Sequence, residues 1–189
     1  EVLELDKEAD LQSYVLGSDR TVQVLAAVGQ PYGTLFGNAY LRNESGQIIV
    51  NAGGTPLINP AKQYLGKFTP DWLGGITNSF TYKGINLSFL VDARIGGSIY
   101  SNTNRTGTYT GVLATTLPGR DAAHGGLIYY YPGDNSSAKA IQLPNGSATA
   151  PNGEKVYDDG NIFPGVTADG KENTVILPAQ QYYKGCTKL

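Results

Sequence analysis

Apolar and polar positions alternate most regularly between Trp72 and Ile95. Two runs of strand character, Trp72 to Tyr82 and Ile85 to Ile95, flank Lys83-Gly84, and a two-residue link ending in Gly suits a tight hairpin turn with positive φ. With Tyr82 facing Ile85, the register sets Phe80 opposite Leu87, Asn78 opposite Phe89, Ile76 opposite Val91 and Trp72 opposite Ile95. That face is apolar apart from Asn78. The other face pairs Thr81 with Asn86, Ser79 with Ser88, Thr77 with Leu90, Gly75 with Asp92 and Leu73 with Arg94, and is small and polar apart from the two leucines.

A dry face opposite a wet one describes half of a soluble antiparallel sandwich. It also describes a membrane β-strand pair. Each run is about ten residues, the length that a strand tilted by roughly 45° needs to cross a bilayer. Trp72 marks one end of the apolar face and Phe80 with Tyr82 the other, where membrane strands carry aromatic girdles. Asp92 and Arg94 on the opposite face are costly in lipid or in a dry core and suit a watery lumen. On this pattern Trp72, Ile76, Phe80, Tyr82, Leu87, Phe89 and Val91 face lipid, while Asp92 and Arg94 face the lumen. The pattern leaves barrel and sandwich both open.

Elsewhere the alternation is shorter. Val2 to Leu5 predicts a short strand followed by an acidic turn or single helical turn, and Thr21 to Val28 predicts a strand that Gly29-Gln-Pro-Tyr-Gly33 ends. Thr34 to Leu41 and Gln47 to Val50 flank Arg42 to Gly46 as a second hairpin, and Asn51 to Thr69 reads as loop. After Tyr100 the chain is dense in Gly, Pro, Asn and Asp, with short strands expected at Leu127 to Tyr131, Ala138 to Leu143, Lys155 to Tyr157 and Thr174 to Leu177.

Composition narrows the class. The 189 residues include 25 Gly, 10 Pro and 13 Tyr but no Met, which predicts a turn-rich β protein and a piece of something larger. A net charge of −2 without a basic cluster excludes a nucleic-acid partner. The single cysteine, Cys186, rules out a disulfide within the chain and a Cys-based metal site. No catalytic constellation stands out: His124 with Cys186 has no recognisable nucleophile context, and a solvated loop histidine is the stronger reading. Asp158-Asp-Gly-Asn161 lacks calcium-loop spacing and reads as an acidic turn. No catalytic residue, metal ligand or cofactor is therefore expected. Asn-x-Ser/Thr at Asn43, Asn86, Asn104, Asn135 and Asn145 reads as chance in Asn/Ser/Thr-rich loops. Recognition material is confined to loop aromatics, Tyr32, Phe36, Tyr109, Tyr129, Tyr130 and Tyr131, which can stack on sugars or peptides or pack the loops together.

The segment Pro70 to Ser101, PDWLGGITNSFTYKGINLSFLVDARIGGSIYS, closely resembles the PDW-x-GG-x-x-N-x-F-x-YKG-x-x-LSFL-x-D-x-R-x-GG stretch near the C-terminus of SusC/RagA-type TonB-linked outer-membrane transporters. VGQPYGTLFGNAY, Pro118-Gly-Arg120 and GVTADGKENTVILPAQQYY are similar to the same family, whereas Asp121 to Pro164 reads as an insertion. The resemblance implies a mainly β fragment of an outer-membrane β-barrel, made of antiparallel hairpins. Residues 72–95 would cross the bilayer, the Lys83-Gly84 turn would face the periplasm, and 28–72 and 100–189 would be extracellular loops. It implies import of an oligosaccharide or peptide, a SusD-like surface lipoprotein over the loops, TonB engaged through a missing N-terminal part, and contact with membrane lipid. Produced alone, such a piece is expected to self-associate or to cover Trp72, Phe80, Phe89 and Val91 with its own loops. Two other readings stand beside it: a secreted β-sandwich that binds carbohydrate, and a glycan-cleaving enzyme, which needs a carboxylate pair that Asp71, Asp92, Asp121, Asp158 and Asp159 do not recognisably form.

Overall fold

The computed structural model describes residues 1–6, 9–144 and 147–186; Asn145 and part of the acidic stretch after Leu5 lie outside them. The protein is mainly β, with antiparallel sheets. It divides into two compact units, Glu1–Gly37 with Lys62–Tyr100, and Asn38–Ala61 with Ser101–Leu189.

The first unit holds a four-stranded sheet in chain order, β1 (Ser13–Asp19), β2 (Val22–Ala27), β3 (Thr34–Gly37) and β4 (Gln63–Lys67), and a separate hairpin of β5 (Trp72–Tyr82) and β6 (Ile85–Ile95). The strand at 21–28 forms as its β-branched residues suggest. Strand β4 corrects the expectation of loop between Asn51 and Thr69. The strand expected from Val2 to Leu5 does not form, Val2 making only an isolated bridge to Val28, and β1 lies beyond the acidic stretch, where no strand was expected. Strand β3 stops at Gly37, so the second hairpin survives as the isolated bridge of Arg42 to Ile48, around a turn in which the Asn43 carboxamide accepts from Gln47 N–H at 2.9 Å, while Tyr40 bridges instead to Ile58. Val22, Ala26, Leu35 and Thr34 are buried in this sheet, and the Thr34 hydroxyl donates to the Pro31 carbonyl at 2.5 Å. At Gly33, with φ +75°, a side chain would collide with the Phe68 ring, so glycine is required on both counts.

The hairpin has the register expected from the alternation at every pair, from Trp72 with Ile95 to Tyr82 with Ile85. Its turn takes positive φ at both residues, 47° at Lys83 and 85° at Gly84. At its base the Asp71 N–H donates to the Ile95 carbonyl at 2.9 Å, and the Ser98 N–H to the Lys67 carbonyl at 2.7 Å.

The second unit is built on a sheet of order β10-β9-β7-β8: β7 (Leu127–Tyr130), β8 (Ile141–Gln142), β9 (Val156–Ile162) and β10 (Ile176–Pro178). All four short strands foreseen after Tyr100 are present, though β9 runs on through Asp158–Asn161, so this stretch is strand rather than turn. Two helices were not expected, α1 (Asn102–Thr110) and α2 (Ala179–Cys186). Helix α1 has Ser101 capping Asn104 N–H at 3.2 Å and ends on Gly111 at φ 73°. Tyr129, Phe163, Val166, Leu177 and Tyr183 form much of the core. Buried Asn173 ties it together, donating to the carbonyls of Phe163 at 3.0 Å and Gly54 at 3.3 Å and accepting from Val175 N–H at 3.1 Å.

Candidate functional site

Both faces of the hairpin are open to solvent. On the apolar face Trp72, Ile76, Phe80, Tyr82, Leu87, Phe89 and Val91 are each between 44% and 69% exposed, so the chain's own loops do not cover Trp72, Phe80, Phe89 or Val91. Phe80 stacks on Phe89 with ring centres 6.0 Å apart. The Trp72 ring lies over Gly74, filling the space that a side chain there would take. Among the described residues β5 and β6 pair only with each other, and no second sheet strand joins them. No helix among the described residues is long and apolar enough to cross a membrane.

The opposite face carries Asp92 and Arg94, both exposed. Arg94 donates to the Phe68 carbonyl at 2.9 Å, so its guanidinium braces the hairpin base as well as lining the polar face. Leu73 and Leu90 interrupt that face at 65% and 67% exposure.

The six loop aromatics separate on inspection. Tyr129 is 1% exposed, stacks on Tyr157 and donates its hydroxyl to Asp159 Oδ1 at 3.0 Å. It belongs to the core and presents no surface to a ligand. Burial, followed by the Asp159 carboxylate beside it, pushes its hydroxyl well above the usual tyrosine range. Tyr131 packs edge-on against Tyr129 and Tyr157, and Tyr130 is half-buried within β7. Phe36 packs edge-on against Tyr64 and Tyr32 against Phe68, Tyr32 remaining exposed. Tyr109, 45% exposed at the end of α1, lines a pocket of about 230 Å³ with Arg120, Asp159, Gln180 and Tyr183. Sequence reasoning singled out Tyr109 as a recognition aromatic and Asp159 as a candidate carboxylate, without placing them together. The partners of Tyr109 come from three separate segments, and Pro118-Gly-Arg120 was a further nearby signal.

His124 does not meet Cys186. Its Nδ1 lies 2.6 Å from Asp121 Oδ1, both side chains being substantially exposed, and this hydrogen bond holds the Asp121 carboxyl below the usual carboxylate range. Asp121 also accepts from His124 N–H at 2.9 Å, which makes the pair a cap on a short helical turn. Among the described residues no three His, Cys, Asp or Glu side chains gather as a metal site.

No family model matches this chain, and no curated protein does.

Proposed function

We propose that this chain is part of the barrel of a TonB-dependent outer-membrane transporter that imports glycans or peptides together with a SusD-like surface lipoprotein. One observation carries the reading. Two paired eleven-residue strands hold an apolar face out to solvent, aromatic at both ends, with charges confined to the other face. In water such a face is uncompensated, while at a bilayer it is the ordinary outer wall of a barrel. A sandwich half would have a second sheet over this face, whereas here its side chains are exposed.

In this reading the remaining strands, the plug and the TonB contact belong to parts of the transporter outside this chain, since the sheets of four, four and two strands among the described residues close no barrel. Substrate binds beneath the lipoprotein lid, TonB rearranges the plug, and the cargo passes along a lumen bordered by Asp92 and Arg94. No covalent step is involved.

The test is an immunoblot of fractionated cells of the source organism with antibody to this chain, comparing boiled with unboiled samples. The expected result is an outer-membrane band far above 20.1 kDa that shifts on boiling. A soluble or secreted band near fragment size overturns the reading.

A further inference from the structure

The pocket beside Tyr109 combines features that select one kind of ligand. Two tyrosines border it, Tyr109 from α1 and Tyr183 from α2, together with Arg120, Asp159 and, also from α2, Gln180. Arg120 gives one guanidinium N–H to the Gly111 carbonyl and lies 5.8 Å from the centre of the Tyr183 ring. Asp159 takes the Tyr129 hydroxyl on Oδ1. No ion pair joins Arg120 to Asp159 among the described residues, so a donor fork and a carboxylate both border the same space.

A bare anion would meet the Asp159 carboxylate, and a bare cation would meet Arg120 with Lys184, whose nitrogen lies 5.7 Å from the Tyr109 ring centre. A zwitterion would pair with both groups, and dialanine in the test below probes that occupant. An uncharged molecule whose groups donate and accept at once, and whose body is flat enough to lie on an aromatic ring, suits two groups that each keep one hydrogen bond inside the protein, Arg120 to Gly111 and Asp159 from Tyr129. Hydroxyls on a sugar ring do both: they accept from Arg120 and Gln180 and donate to Asp159, while the C–H face of the ring packs on tyrosine. About 230 Å³ is below the usual range for drug-sized ligands and suits a single ring.

We infer that this pocket binds one uncharged pyranose ring, the end or a branch of a glycan. The assignment rests on the transporter reading for the source of the sugar and narrows its glycan-or-peptide cargo to glycan.

The test is saturation-transfer NMR on the whole 189-residue chain with glucose, galactose, mannose and N-acetylglucosamine, and with dialanine as the peptide probe. The expected result is transfer to at least one sugar in the millimolar range, weakened about tenfold or more by Tyr109→Ala and by Gln180→Ala. Tyr109 and Gln180 are exposed, so these variants keep the core, and unchanged amide exchange in β7 and β9 verifies it. The assignment is overturned if no sugar signal depends on Tyr109, or if dialanine takes the Tyr109-dependent signal. Membrane location is read separately by the fractionation blot, so the sugar site and the transporter reading fail on different measurements.

Discussion

At the scale of single residues, the second unit is organised by tyrosines that are packed rather than displayed. Burial pushes Tyr182 up to about 12, with the neighbouring Cys186 adding to it, and raises Tyr183 as well, against the lowering effect of Arg120. Tyrosines whose folded value is raised contribute stability that is fully present below their unfolded value of about 10 and is lost as pH climbs through the folded value. An ultraviolet titration of the 13 tyrosines should therefore show a delayed group that includes Tyr182, with the second unit unfolding between about pH 10 and 12. A single step at the ordinary value would mean that the cluster is open to water. This scale is where the sequence was least informative. Composition marks every tyrosine as amphipathic, and only the fold decides that Tyr129 is spent on Asp159 while Tyr109 keeps a free surface.

At the scale of elements, the hairpin was fully legible and the helices were not, for physical reasons that differ. A strict period of two along β5 and β6, joined by a turn that needs positive φ, leaves one register that keeps the apolar set together. Helix α1, NTNRTGTYT, has no apolar stripe and contains Gly107. It is held by its end caps and by Thr108 and Thr110 donating to carbonyls one turn back, which are interactions that leave no period to read. Strand β1 is exposed along its whole length and is bulged between Val15 and Gly17, so it lacks the alternation that betrays a half-buried strand. For the hairpin, Gly84→Ala should cost about 1 kcal/mol, since the left-handed conformation is paid in backbone strain while open space surrounds the new methyl. Faster amide exchange along β5 and β6 checks this. An isolated two-stranded hairpin is marginal in water, so the loss should be visible there first.

At the scale of the whole molecule, an uncovered apolar face between open strand edges predicts association. Sedimentation velocity should show mass rising with protein concentration, and detergent micelles should reverse it. Trp72, the single tryptophan and 52% exposed, should shift its emission to shorter wavelength on addition of phosphatidylcholine vesicles. A monomer indifferent to detergent and vesicles would remove the reason for seating this face in lipid. The path of the chain carries a consequence for how the molecule is made. Residues 38–61 are synthesised before the hairpin and 101–189 after it, yet they share one unit: the Tyr40 hydroxyl donates to the carbonyl of Gly185, 145 residues on, and Asn173 reaches back 119 residues to Gly54. Contacts of that span form late, whereas a two-residue turn closes in microseconds. On a growing chain, residues 38–61 therefore wait as an unfinished half while the hairpin zips, and the unit closes only when its last helix emerges.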